Sequence, residues 1–418
     1  MGATGATLLF SGLATASDGE ARYIARTEED GVDVESAGFD VLNELAGGSV
    51  LLVTGPEDAV DDLDAVGGVT AAERDVALDV EPAIETEDEH PEIPDDPEDV
   101  YDDLLWDKQV QDVREAQDHA TGKGTTVAIV DTGVAEHPDL PNLDTDASVT
   151  IEYGTVEDHE GDPSGHGTHV AGTAAAAGDV AMTGTAPDAD IISVDVLGHG
   201  TGSMGDIMVG MEYAADVGAD AANISLGFME APQEVDVGFY RQLFEPVAND
   251  GRREGTLYVG SAGNDQTDLQ GGWLRLWNGL AGVVGVSATG PNDELSFYSN
   301  WGRNDVDVGA PGGGYETAAK SSIEDPDEVA WPAPLNYVFS TVPEGDGPGE
   351  SDYDWFAGTS MAAPQVTGLA ALVRELDPDA NPPQVLQAIR QGAAVADNRG
   401  DAELGAGRVN ALHTVERL

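Results

Sequence analysis

Cysteine is absent from the 418 residues, so disulfide staples and thiolate metal sites are excluded. Lysine is almost absent, with Lys108, Lys123 and Lys320 the only three. Lysine and arginine together number 17 against 80 aspartates and glutamates, for a formal charge of −63. A surface of that sign repels nucleic acid and anionic membrane. No stretch of 18 apolar residues occurs, so no segment is expected to span a membrane. What remains is enough to fold. Apolar residues make up 40% of the chain, and the acids are interleaved with periodic apolar segments. That pattern favours a folded protein with a halophile's acidic surface over a disordered chain.

The chain opens on "ATLLFSGLATAS", a short apolar stretch ending in Ala14-Thr15-Ala16. Residues 1–17 read either as the remnant of a signal peptide without its basic start, or as an apolar N-terminus. Residues 18–84 read as a small α+β unit. In it "RYIAR", "SVLLVT" and "DVALDV" have strand character and "EDAVDDLDAV" helical character. Residues 85–103, from "ETEDEHPEIPDDPEDVYDD", are dense in acid and proline and read as an exposed linker, or as a solvated loop within one domain. Across 104–418 the texture changes. The apolar runs "TVAIVD", "DIISVDV", "AANISL" and "TLYVGS" alternate with helix candidates such as Thr168–Ala177 and Ser203–Val217. Continuous runs suit buried parallel strands. The alternation predicts an α/β fold: a doubly wound, mostly parallel sheet with helices on both faces.

In such sheets reactive groups gather beyond the carboxyl ends of the strands. Asp131 closes "VAIVD", and Asn264 follows a strand in "YVGSAGND". His166 stands in the first turn of the helix entered through "SGHGTHVAGTAAA", and Ser360 where a loop enters "SMAAPQVTGLAALV". Taken singly, each has an ordinary reading. Asp131 and Asn264 suit turns, Ser360 suits an N-cap, and His166 with His169 could form a metal pair with Asp131. Taken together their chemistry is complementary. Ser360 is a weak nucleophile that needs a base. His166 can take its proton near neutral pH. Asp131 can orient the imidazole and stabilise its charged form. Asn264 can donate N–H to a developing oxyanion beside the Ser360 backbone N–H. In that setting His169 reads as a satisfied structural histidine.

"VAIVDTGV", "GHGTHVAGT", "SAGN" and "GTSMAAPQV" stand in the order Asp, His, Asn, Ser. On these four motifs the chain resembles the subtilisin-like serine proteases, over roughly Asp102 to Leu418, and in particular the halolysin type of the haloarchaea. The resemblance implies that Asp131, His166, Ser360 and Asn264 are charge-orienter, base, nucleophile and oxyanion donor of a serine endopeptidase. It implies that Ser225, Leu226 and Gly227 ("ANISLG"), with Ser261, Ala262 and Gly263, flank the specificity pocket. Gly200 and Gly202 would form a rim of the cleft, where a polypeptide substrate adds as a strand. Residues 18–84 would be an inhibitory propeptide removed by self-cleavage, or else a permanent accessory domain. A secreted, monomeric zymogen is expected.

The chain departs from the family in three places. Gln365 stands where the family often has histidine, away from the chemistry. An acidic segment from about Glu316 to Asp354 lengthens the connection to Ser360 and would reshape a surface loop. The chain ends soon after "GAGRVNALHTV", so the extra C-terminal domain of some haloarchaeal relatives is not expected. The reaction needs no cofactor. The resemblance implies a structural calcium ion, with Asp139, Asp179 and Asp103 as candidate oxygen ligands, although an unoccupied acidic surface fits these residues equally. The competing functional reading is a catalytically inactive subtilase fold serving as a binding module.

Overall fold

The apolar runs become the middle of one sheet. A computed structural model describes residues 7–14, 20–28, 31–81, 91, 93–94, 96–198, 201–228, 237–271, 279–393 and 402–418. Strands Thr126–Asp131, Asp190–Asp195, Ala221–Ile224 and Leu257–Ser261 lie at or beside its centre, almost wholly buried. The eight strands run in the order 308–311, 283–289, 257–261, 221–224, 126–131, 190–195, 149–152, 155–158. Every neighbouring pair is parallel except the last, an antiparallel hairpin.

Alternate residues of these strands feed two different cores, as period-two geometry requires. Val127, Ile129 and Val259 face the helices His166–Ala175 and Thr359–Leu376. Ala128, Val130 and Tyr258 face the helices Met204–Asp216 and Val237–Glu254. This is the doubly wound arrangement expected from the sequence. The His166 and Ser360 helices approach closely at Gly368, where an added Cβ would meet the Ala174 carbonyl at 2.6 Å.

The N-terminal unit is a second, antiparallel sheet in the order Asp40–Leu45, Val50–Gly55, Ala21–Thr27, Val69–Arg74, with the short helix Val60–Asp64. One face closes a small core around Tyr23, Phe39, Leu51 and Leu63. The other face, through Ile24, Leu45, Val50 and Leu52, shares a core with Met204, Met208, Tyr240 and Phe244 of the larger body. Between them lies a buried ion cluster: Arg22 is 3.1 Å from Asp75 and 2.9 Å from Asp206.

Two sequence expectations need correction, and a third segment gains a place in the fold. The apolar start belongs to a sheet. Thr7–Leu13 is a strand that pairs antiparallel with Val76–Glu81 and parallel with Gly227–Phe228. The acidic linker ends in a helix, Pro97–Leu104, capped by Asp96, which accepts from the Glu98 N–H. Val100, Tyr101 and Leu104 of that helix enter the main core, so the acids merely line its outer side. The acidic segment before Ser360 is also more than a surface loop. It holds the strands Val338–Thr341 and Tyr353–Phe356, buried against the His166 helix. Residues 82–90, in the segment expected to be cut, lie outside the described residues.

Candidate active site

Parallel neighbours deliver the site. The strands ending at Asp131, Ile224 and Ser261 lie side by side and leave the same edge of the sheet. The Ser360 helix packs across them, and its first residues are tied to two of those strand ends. Ser360 Oγ donates to the Ser225 carbonyl at 2.9 Å, and Ser225 Oγ donates back to the Ser360 carbonyl at 2.8 Å. Asn264 Oδ1 accepts from both the N–H and the hydroxyl of Thr359, each at 2.9 Å. Thr359 Oγ1 in turn accepts from the Gly263 N–H at 3.0 Å. Gly263 has φ of +94°, a left-handed conformation that glycine reaches without strain.

His166 enters from the other side. Its Nδ1 lies 2.6 Å from Asp131 Oδ1, a short contact between two buried groups. The Thr132 N–H also donates to that oxygen at 2.9 Å. The pair needs close backbone approach: a Cβ on Gly167 would fall 2.0 Å from the Gly133 carbonyl. His166 Nε2 has no hydrogen-bond partner, although the atom is buried. One ring nitrogen of His166 is thus engaged by Asp131 and the other is left open, while the Ser360 hydroxyl is turned toward Ser225. Rotation about one side-chain bond redirects that hydroxyl, and catalytic hydrogen bonds are often formed only with substrate present.

His169 behaves as the structural histidine expected. Its ring stacks on Phe356 at 4.3 Å, and Nε2 lies 3.1 Å from the Val338 carbonyl. Burial drives its pKa down to about 3, so it stays neutral. It does not join His166 in a metal pair. Gln365 lies deep in the Ser360 helix, where it accepts from buried Lys108 at 2.7 Å and donates to Asp107 at 2.6 Å.

The cleft residues divide. Gly202 lies in the strand Thr201–Ser203, and Gly227 in Gly227–Phe228. Leu226 and Ala262 are buried beside them, and Ser261 ends its strand. Gly200 lies outside the described residues. The two short rim strands are bridged by the N-terminal segment, in the order 201–203, 76–81, 7–13, 227–228.

The calcium candidates do not converge. Asp139 accepts from the backbone N–H groups of Val180, Ala181 and Met182 at 2.6, 2.9 and 2.7 Å, and from the Tyr353 hydroxyl at 2.8 Å. Four donors occupy the lone pairs that a cation would need. Asp179 and Asp103 are exposed, and no cluster of three or more His, Asp or Glu side chains suited to a metal occurs among the described residues. The residues present do not fit the ion in this conformation.

Two buried acids near the triad stand outside the residues expected from the sequence. Asp195 pairs with Asp131 across the sheet, and burial pushes its carboxyl up to about 7. Its folded value exceeds the unfolded one, so its ionisation subtracts stability as pH rises from about 4 to 7. Asp162 is the second. Its signal, "GDPSG", is that of an acid whose side chain caps the following backbone.

Known proteins resemble this chain in sequence and in fold. A sequence profile described as the Subtilase family matches residues 122–407. Alkaline elastase YaB of a Bacillus species is 33% identical over 293 residues, which are 70% of this chain and 64% of that protein. An extracellular protease of Xanthomonas campestris is 30% identical over 343 residues, covering 72% of this chain and 52% of that protein. The chain thus spans less than two thirds of either relative's length. The fold resembles that of the epidermin leader peptide processing serine protease of Staphylococcus aureus, with a TM-score of 0.75 at 21% identity, over 95% of this chain and 98% of that one.

Proposed function

The chain belongs to the subtilase family, and from that membership we propose that it is a serine endopeptidase made as a self-processing zymogen. The observation that carries the reading is the 2.6 Å contact of His166 with Asp131, with the opposite ring nitrogen left unpartnered. Ser360 Oγ attacks the scissile carbonyl while His166 Nε2 takes its proton. Asp131 holds the tautomer and stabilises the imidazolium. The oxyanion is met by the Ser360 N–H and the Asn264 amide, whose other branch Thr359 fixes. The hydroxyl turned toward Ser225 favours the competing reading, an inactive binding fold. That reading has no use for the unpartnered His166 nitrogen.

Asn264 tests the assignment. Asn264→Leu is expected to lower kcat by about 10²–10³-fold, the loss known for this donor in subtilisin, with little change in KM. Asn264→Asp keeps the acceptor for Thr359 but not the donor, and should lose as much. Steady-state kinetics of both variants decide. An effect on KM alone would assign Asn264 to substrate positioning.

The N-terminal unit is the first polypeptide in the cleft, since Val76–Glu81 pairs antiparallel with the Thr201–Ser203 rim. Its removal would free both rims for substrate strands. The chain is expected to cut itself between about Glu81 and Asp103. Edman sequencing of active enzyme checks this, and an N-terminus near Gly19 would make the unit a permanent domain. The acidic surface supports function in high salt, in the manner of halolysins. Secretion fits the same proposal, since one relative is named an extracellular protease. A monomer suffices, because the catalytic groups come from one chain.

A further inference from the structure

Asp162 is buried, and five donors converge on it. Its Oδ1 accepts from the Thr132 hydroxyl at 2.9 Å, the Ser164 N–H at 3.0 Å and the Gly165 N–H at 2.9 Å. Its Oδ2 accepts from the N–H and the hydroxyl of Thr168, at 2.8 and 2.7 Å. We propose that Asp162, acting through Thr132, is the positioning residue that clips the Asp131 turn to the His166 helix.

The proposal rests on the endopeptidase reading and adds a role to its site. The donors come from both sides of the triad. Thr132 follows Asp131, while Gly165 precedes His166 and Thr168 follows it by two residues. The direction of both hydroxyl protons is determined. Thr132 Oγ1 accepts from the Gly167 N–H at 2.9 Å, so its own proton goes to Asp162. Thr168 Oγ1 accepts from the Ala135 N–H at 2.9 Å, so its proton also goes to Asp162. One carboxylate therefore gathers strand-end backbone (Ala135, through Thr168) and helix backbone (Gly165, Gly167 and Thr168). Burial pushes its carboxyl above the usual range, and the hydrogen bonds from Thr168, Ser164 and Thr132 oppose that in part. A carboxylic acid could not accept all five, because its own proton would face a donor. Asparagine has the same defect at one branch: its NH2 would point at the Thr168 donors.

A group that only supported the fold would lower thermal stability and leave turnover of the folded fraction unchanged. A positioning group acts on kcat. A misplacement of about 1 Å in a reacting geometry costs about 10²-fold in rate. The test uses the full chain in molar salt, with circular dichroism to establish folding. Asp162→Asn is expected to lower kcat by about 10²-fold while KM stays within about twofold. Thr132→Val should lower kcat in the same direction, and Thr132→Ser, which keeps the hydroxyl, should restore it. If Asp162→Asn does not fold, the two Thr132 variants decide. A folded Asp162→Asn chain with unchanged kcat overturns the proposal. So does a Thr132→Val chain equal to Thr132→Ser, or a loss confined to KM. A wild-type chain without turnover would instead sink the underlying endopeptidase reading, and this role with it.

Discussion

Ser360→Ala is expected to remove peptide hydrolysis almost completely while leaving the fold intact. The Ser360 hydroxyl stands at the start of a helix that is bonded both to the strand end beside Asp131's strand and to the Asn264 loop. Removing Oγ breaks one hydrogen bond, to the Ser225 carbonyl. The reciprocal bond from Ser225 to the Ser360 backbone survives. The structural loss is then about 0.5–1.5 kcal/mol, the net worth of an ordinary hydrogen bond. The chemical loss is far larger. In subtilisin, removal of the nucleophile costs about 10⁶ in kcat, and that scale is borrowed here from a relative. The variant should also keep its N-terminal unit, because no working nucleophile remains to cut the chain. A purified, unprocessed Ser360→Ala chain that hydrolysed peptides near the wild-type rate would end the assignment.

Lowering salt is expected to unfold the protein. The charge of −63 repels itself in the compact state, and unfolding spreads it out. The fold leaves most of that imbalance at the surface, because its buried aspartates (Asp75, Asp107, Asp131, Asp139, Asp162, Asp195 and Asp206) are partly offset by buried bases. Arg22, Lys108 and Arg408, three of the 17 basic residues, are buried. Exposed pairs such as Arg114 with Asp102 and Arg253 with Asp250 are worth only about 0–1 kcal/mol each. At 0.1 M salt the Debye length is about 10 Å, so neighbouring acids still feel one another, and at 1 M it is about 3 Å. Salts whose anion is excluded from the surface also strengthen apolar burial, in the same direction. Circular dichroism of the Ser360→Ala chain, which cannot digest itself, measures the effect across about 0.1 to 4 M NaCl. A rise in thermal midpoint on the order of 10 °C corresponds to a few kcal/mol of relieved repulsion. A flat midpoint would leave the acidic surface a matter of solubility alone.

How far the sequence carried depends on where each residue's partners lie. Asp131, His166, Asn264 and Ser360 stood out as candidates because each needs a particular chemistry at a strand end or helix start, and four such needs occurred in order. The central strands were legible from continuous apolar runs. Thr7–Leu13 was not, because its meaning comes from pairing with Val76–Glu81 and Gly227–Phe228, both far along the chain. The helix Pro97–Leu104 was hidden by acid content, although Asp96-Pro97 carried a helix-start signal. Asp162 and Asp139 were missed as anchors because most of their donors are backbone N–H groups, which no side-chain pattern reports. The loop at 180–182 closes directly onto Asp139, which is why a calcium expectation drawn from resemblance met a satisfied carboxylate.

The central claim is that Ser360 is an activated nucleophile. Reaction of the processed protein with a fluorophosphonate tests it most directly, because phosphorus is attacked only by a serine whose proton a neighbouring base accepts. The account predicts a single phosphonylated residue, Ser360, identified by mass spectrometry of the digested chain, with loss of labelling in Ser360→Ala. A folded, processed chain in molar salt that remained unlabelled, or that carried the label on another serine, would contradict it.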